Sequence, residues 1–145
     1  MLREIIEDTS ALGGIAVFLS AIFIAFFTDN KILALKLFIG LILCYAVVIG
    51  IRIFYFKQRP DKQKYKTFLG KLDASSFPSL HSARIAALAT VLFFYFQSNA
   101  IKAAMILLIP AVAFTRIWLK RHYVIDTVIG VAVGMIIGLA VEFLL

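Results

Sequence analysis

Long apolar runs separated by short polar segments dominate the chain. Five runs approach the length of about 20 residues that an α-helix needs to cross the hydrocarbon core of a bilayer. The third run is short by itself and reaches that length only with its polar flanks. The predicted spans lie at about residues 11–27, 32–56, 80–97, 101–119 and 123–145. The pattern therefore predicts an all-α integral membrane protein, a compact bundle of about five transmembrane helices.

The connections between these spans determine which of their ends share a membrane face. Residues 28–31 and 97–100 form tight turns, which join antiparallel neighbours. The single long polar segment, residues 57–82, is basic. In a five-span chain this segment and the turn between spans four and five lie on the same face. We therefore expect one domain, residues 1–145, with a polar active site at one membrane interface.

Composition agrees with a membrane protein. Hydrophobic residues make up 63% of the 145 residues and charged residues 16%, against roughly 45–50% and 25% in soluble domains. The single cysteine excludes a disulfide framework. The net charge of +7 resides between apolar runs, which favours anionic lipid headgroups or phosphate-bearing substrates as partners over nucleic acid.

Three polar clusters fall on the predicted active face, and both histidines of the chain lie within them. They read Arg52-x6-Arg59-Pro60, Pro78-Ser79-Leu80-His81 and Thr115-Arg116-x5-His122-x3-Asp126. Charged groups at the edge of a span are costly and tend to mark function. For each arginine taken singly, the alternative is a side chain that extends to the lipid headgroups.

The residue types in the clusters suit phosphoryl transfer, in which negative charge spreads over the oxygens of the transferred group. Arginine supplies planar, always-charged donors that bind two oxygens at once. A helix is predicted to begin after Pro78, and the N–H groups at a helix N-terminus bind anions. The predicted phosphate-binding residues are Arg52, Arg59, Ser79, Leu80 and Arg116. Arg84, three residues after His81, is expected to form a structural ion pair.

The two histidines suit the remaining steps. His122 and Asp126 are four positions apart, which places them on one face of a helix. A carboxylate bonded to one ring nitrogen fixes the tautomer and leaves the other nitrogen as a nucleophile. His81 then remains as the general acid for the leaving alkoxide. The same pair suggests a metal site as an alternative, but no third ligand occurs at a useful spacing, so no metal or other cofactor is expected.

Together the clusters resemble the signature of the type 2 phosphatidic acid phosphatases, in the superfamily that includes the vanadium haloperoxidases. That signature is K-x6-R-P, P-S-G-H and S-R-x5-H-x3-D, and the resemblance covers residues 52–126, about half of the chain. It implies a metal-independent lipid phosphatase. His122 would be the nucleophile that forms a phosphohistidine, Asp126 its partner and His81 the general acid. The five phosphate-binding residues would hold the phosphate.

The chain departs from this signature at three positions. Arg52 replaces a lysine, Thr115 a serine and Leu80 a glycine. Leu80 keeps its backbone N–H, but a branched side chain disfavours positive φ and narrows the mouth of the site. A helical backbone at Leu80 would remove the strain, and selectivity for the headgroup would still differ from that of the family.

The implied substrate is a lipid phosphate or diphosphate: a polyprenyl (di)phosphate first, phosphatidate or phosphatidylglycerol phosphate next. The alternative from another class is a catalytically silent lipid-binding or scaffold protein with a polybasic headgroup-binding loop. The lysines of that loop are expected to be solvated and to face the lipid headgroups. They are Lys57, Lys62, Lys64, Lys66 and Lys71.

Two further patterns concern assembly and placement in the cell membrane. Gly130, Gly134 and Gly138 form a ridge of small residues on span five, which indicates close packing within the chain or a homodimer seam. Lysine and arginine are concentrated on the face that carries the three clusters. The positive-inside rule therefore favours a cytoplasmic active site in a multi-pass protein, whereas prokaryotic members of the resembled family more often face outward.

Overall fold

The computed structural model describes residues 2–145, and the chain folds there into seven α-helices. No β-strand forms within these residues; one isolated bridge pairs Gln58 with Ser75. The predicted all-α fold is confirmed. The helices are α1 (Leu2–Ala11), α2 (Ile15–Phe27), α3 (Lys31–Phe54), α4 (Phe68–Ala74), α5 (Leu80–Tyr95), α6 (Asn99–Trp118) and α7 (Val124–Leu144).

Three helices, α3, α6 and α7, are long and apolar enough to cross a membrane. Helices α1 and α2 meet at a bend of 48° and pass the same test as one broken span, while α5 is apolar but has only 16 residues. Large apolar side chains cover the outer surface, where lipid rather than water suits them. Examples are Phe23, Ile24, Phe38, Leu107 and Ile136.

Helix α5 is the centre of the bundle, and every residue from Ser82 to Val91 is buried. Helix α7 approaches it through the glycine ridge. A Cβ added at Gly130 would lie 2.5 Å from the carbonyl oxygen of Ser79, and one at Gly134 would meet the carbonyl of Ala83. Only glycine permits this approach. The ridge serves packing within the chain, and α5 leaves no free surface at these glycines for a homodimer seam.

Two helices were not predicted from the sequence. Helix α1 precedes the first predicted span and packs against α6, with Ile6 and Ser10 buried. Helix α4 lies within the basic segment 57–82, where the Thr67 hydroxyl accepts a hydrogen bond from the Gly70 N–H at 3.0 Å and caps the helix. Both helices lie at the end of the bundle where the three polar clusters meet.

Candidate active site

A cavity of about 630 Å³ opens at this end of the bundle, between α1, α3, α5 and α6. Six of the eight predicted site residues line it, and they come from separate parts of the chain. They are Arg52, Arg59, Leu80, His81, Arg116 and His122. The remaining two, Ser79 and Asp126, are fully buried behind the cavity wall.

Two buried arginines keep a spare donor at this wall. Arg52 donates to the carbonyl oxygens of Leu72 at 3.0 Å and Pro78 at 2.9 Å, so it braces the segment around α4. Arg116 donates to the Ser10 hydroxyl at 2.6 Å. The Nε–H of each has no partner within residues 2–145. A buried donor without an acceptor is costly, and a phosphate oxygen in the cavity would satisfy it.

Arg59 is held by the polar loop. It donates to the Gln63 side chain at 2.6 Å and to the Asp73 carbonyl, and the Asp73 carboxylate lies 3.9 Å away. Burial lowers the pKa of Arg59, and the negative charge of Asp73 partly offsets the effect. Its Nε–H also has no partner in the described part of the chain. The three predicted arginines therefore share one property, a buried Nε–H available to an anion.

His122 lies in the turn between α6 and α7, with Nδ1 2.6 Å from the carbonyl oxygen of Ser76. A carbonyl oxygen only accepts, so Nδ1 carries the proton and Nε2 keeps the lone pair that a nucleophile needs. Burial, followed by the positive charge of Arg116, lowers the pKa of His122 to about 3. The ring is therefore neutral near pH 7.

Asp126 does not make the predicted bond to His122. Its carboxylate accepts hydrogen bonds from Lys57 Nζ at 2.6 Å and from the Tyr123 N–H at 3.0 Å. The helical i,i+4 argument fails because His122 precedes the first residue of α7. Asp126 therefore caps α7, and the Ser76 carbonyl orients the histidine ring in its place. Lys57 is likewise not a solvated lysine, since it also lies 4.5 Å from the centre of the Tyr123 ring.

The two predicted residues at the start of α5 have different roles. Ser79 is the N-cap, and its hydroxyl oxygen accepts from the Ser82 N–H at 3.3 Å and from the Ser82 hydroxyl at 3.0 Å. This use of the side chain, together with full burial, removes the Ser79 hydroxyl from the phosphate site. Leu80 is the first helical residue and lines the cavity without positive φ. A helical backbone explains how leucine replaces glycine here without strain.

Four residues at the cavity were missed or misread in the sequence. Arg3, Glu7 and Ser10 of α1 line it, although the charged residues of a short amphipathic helix look like a solvated surface. Arg84 also lines it, and its guanidinium makes no ion pair within residues 2–145, contrary to the expected structural pair. Only the hydroxyl of Ser10, on a polar face that ends in an apolar run, gave a weak signal of burial.

Comparison with known sequences gives a family match. Residues 33–142 match the family model described as the PAP2 superfamily. The chain is also 29% identical over 103 residues to the decaprenylphosphoryl-5-phosphoribose phosphatase of two Mycobacterium tuberculosis strains. The aligned part is 71% of this chain and 56% of the relative, so the chain spans little more than half the length of these relatives.

Comparison with solved structures gives two similar folds. Aquifex aeolicus LpxE superposes with a TM-score of 0.81 at 23% identity, over 97% of this chain and 84% of the other. A transmembrane PAP2 type phosphatidylglycerolphosphate phosphatase from Bacillus subtilis gives a TM-score of 0.81 at 22% identity, over 99% and 76%. This likeness confirms the predicted fold class, an all-α membrane bundle.

Proposed function

The chain belongs to the PAP2 superfamily, and from this membership we propose that it is a membrane phosphatase that removes phosphate from a lipid phosphate. The family match confirms the resemblance carried by the three clusters. One observation carries the proposal further. His122, with an unprotonated Nε2, lines the same cavity as Arg52, Arg59 and Arg116, each of which has an unsatisfied Nε–H.

In the proposed reaction, Nε2 of His122 attacks the phosphorus atom while the bond from phosphorus to the lipid oxygen breaks. The product of this step is a phosphohistidine. His81 gives a proton to the leaving alkoxide and later takes one from the water that hydrolyses the intermediate. No metal takes part in this scheme.

The arginines stabilise the charge that develops on the phosphoryl oxygens. Arg52 and Arg116 are already buried and already held by hydrogen bonds, so they need little reorganisation when the substrate binds. The backbone N–H of Leu80, at the start of α5, is a further candidate donor. Ser79 contributes as the cap that fixes this helix start.

An apolar groove supports a lipid as the substrate. Tyr45 lines both the polar cavity and a groove of about 520 Å³ along the outer face of α3, where Ala46, Ile49 and Gly50 form part of its surface. We assign this groove to the hydrocarbon chain of the substrate, because it begins at the cavity and is open to lipid. The polar group and the chain of one molecule would then occupy adjoining sites.

The first-ranked substrate is a polyprenyl phosphate or diphosphate, in line with the name of the decaprenylphosphoryl-5-phosphoribose phosphatase relative. Phosphatidate and phosphatidylglycerol phosphate follow, the latter in line with the name of the Bacillus structure. A silent lipid-binding scaffold is the rival function, with the exposed Lys62, Lys64 and Lys66 as its contact with anionic lipid.

The discriminating experiment measures phosphate release in detergent with EDTA present. The panel contains a short-chain polyprenyl phosphate, its diphosphate, a short-chain phosphatidate and a short-chain phosphatidylglycerol phosphate. The proposal expects release from at least one of them, and a loss on the order of thousands-fold in His122→Ala with unchanged thermal unfolding. Acid quenching during turnover should also trap a phosphohistidine. No release from the whole panel would favour the scaffold.

A further inference from the structure

Arg84 is almost completely buried, with 4% of its surface exposed, one helical turn after His81 in α5. Each of its nitrogens has its own acceptor. Nε donates to the Gly13 carbonyl oxygen at 3.2 Å, Nη1 donates to the Tyr45 hydroxyl at 2.8 Å, and Nη2 lies 3.3 Å from Nδ1 of His81. The guanidinium therefore joins the bend between α1 and α2, helix α3 and a predicted catalytic histidine.

The acceptors of Arg84 are neutral. No carboxylate in residues 2–145 lies within ion-pair distance of it. A buried charge without a counterion is strongly destabilising, and this one lines the cavity proposed to bind an anion. We conclude that the charge serves the cavity and not a tie between helices, for which an uncharged donor would suffice.

The contact between Arg84 and His81 fixes a protonation pattern. A guanidinium donates and never accepts, so Nδ1 of His81 must be the acceptor and carry no proton. The proton of the neutral ring then resides on Nε2. His122 has the opposite pattern, because its Nδ1 donates to the Ser76 carbonyl and its Nε2 is bare. The two histidines of the cavity are thus held in opposite tautomers.

We propose that Arg84 is a positioning residue that holds His81 in the Nε2–H tautomer, so that the cavity contains one ring that donates and one ring that attacks. The chemical meaning of this inference rests on the proposed phosphatase function. Neither residue of the family signature's P-S-G-H motif supplies this contact, and Arg84 lies outside the motif.

The proton balance of the leaving-group step follows. As the bond from phosphorus to the lipid oxygen breaks, the Nε2–H bond of His81 breaks and an O–H bond forms on the alkoxide. The ring is left with a negative charge, which the Arg84 cation on Nδ1 stabilises. A lipid alkoxide is a strong base, so a neutral imidazole suffices as donor. In the hydrolysis step, water returns a proton to Nε2.

The tautomer is measurable without any turnover, because the chain has only two histidines. His122→Gln leaves His81 as the only ring, and its 15N shifts report which nitrogen carries the proton. We expect Nε2–H with Arg84 present and loss of this preference in Arg84→Met. The matched control is Arg84→Met in a His81→Gln background, where the Nδ1–H tautomer of His122 should persist. An Nδ1–H tautomer for His81 in the presence of Arg84 would overturn the proposal.

A double-mutant cycle tests the kinetic consequence. Arg84→Met alone should slow release of a lipid alkoxide at least tenfold and affect p-nitrophenyl phosphate far less. In a His81→Gln background the same change should add almost no loss, because the ring that it positions is gone. Equal losses in both backgrounds would assign Arg84 a purely structural role. Absence of any phosphatase activity would refute the proposed function alone, since the tautomer measurement does not depend on it.

Discussion

The ammonium group of Lys57 lies 2.6 Å from Oδ1 of Asp126, a carboxylate with no exposed surface. The backbone of the same lysine holds the loop beside it, because the Ser76 N–H donates to the Lys57 carbonyl at 2.7 Å. The Ser76 carbonyl then accepts from the His122 ring. One lysine at the end of α3 thereby secures both the start of α7 and the group that orients the proposed nucleophile.

This relationship predicts that Lys57 is a stability residue. Lys57→Met leaves the buried Asp126 charge unpaired and should lower the free energy of unfolding by on the order of 3 kcal/mol, with a matching fall in the thermal midpoint in detergent. Lys64→Met is the matched control, because Lys64 is exposed on the same loop, and should change it by less than about 0.5 kcal/mol. Equal midpoints for the two variants would contradict the buried pair.

Ser10 is predicted to act on substrate binding through Arg116. Ser10→Ala removes the acceptor 2.6 Å from Arg116 Nη1 and leaves the guanidinium free to turn away from the cavity. Since hydrogen bonds to charged groups are worth about 1.5–3 kcal/mol, kcat/KM should fall roughly tenfold or more. Thr9→Ala is the control, because the Thr9 hydroxyl donates only within its own helix, to the Ile5 carbonyl. A similar loss in both variants would contradict the Ser10 contact.

His122 is predicted to stay neutral in mild acid. The variant His81→Gln leaves it as the single histidine, so its ring signals can be titrated directly. The folded pKa of about 3 lies below the unfolded value of about 6.5, so the unfolded chain binds the extra proton between these values. The neutral ring therefore contributes stability above pH 6.5, and that contribution decreases as the pH falls toward 3. Protonation of the folded protein near pH 6.5 would contradict the burial of this ring.

Much of the fold and of the site could be predicted from the sequence, for physical reasons. A span must be apolar over its whole length, so the bundle is apparent in the hydrophobic pattern. His81, Arg116 and His122 were found because charged and ionisable groups at a membrane edge are rare and their spacing matched a signature. Leu80 was correctly linked to a helical backbone, since only that conformation accepts leucine without strain.

The contacts missed from the sequence depend on groups that leave no pattern in it. The acceptor for His122 is a backbone carbonyl, that of Ser76, which every residue type possesses. Lys57 is one of several lysines in its loop, and nothing distinguishes it before the loop folds onto α7. Asp126 was assigned to His122 by helical spacing, but α7 begins only at Val124. Long-range contacts of this kind are set by the tertiary fold.

The groove along α3 predicts selectivity for long lipid chains. A Cβ at Gly50 meets no atom within 4 Å, so Gly50→Leu should fold normally and fill part of the groove. We expect kcat/KM for a long-chain polyprenyl phosphate to fall at least tenfold and that for p-nitrophenyl phosphate to remain unchanged. The control, Ala104→Leu, adds the same bulk to an exposed position on α6. Equal effects of Gly50→Leu on both substrates would place the lipid chain elsewhere.

The last prediction concerns the side of the membrane that the cavity faces. Lysine and arginine flank the spans mainly on the cavity side, in segment 57–82 and near Arg116, whereas Lys31, Lys36 and Lys102 are on the other. The positive-inside rule therefore predicts a cytoplasmic cavity. Part of this charge binds phosphate or Asp126 and is excluded from the argument, but the exposed loop lysines keep the bias in the same direction.

Two single-cysteine proteins test this orientation on intact cells. Cys44 is buried, and Cys44→Ala removes it from the background. Lys64→Cys then reports the cavity side, and Ser98→Cys reports the other end of α5, where Ser98 is exposed and its side chain makes no cap hydrogen bond. With a membrane-impermeant thiol reagent, a cytoplasmic cavity requires labelling at position 98 without lysis and at position 64 only after lysis. The reverse pattern would show that the basic loop serves an outward-facing cavity, because its charges would then have been retained for anionic substrates against the topological bias.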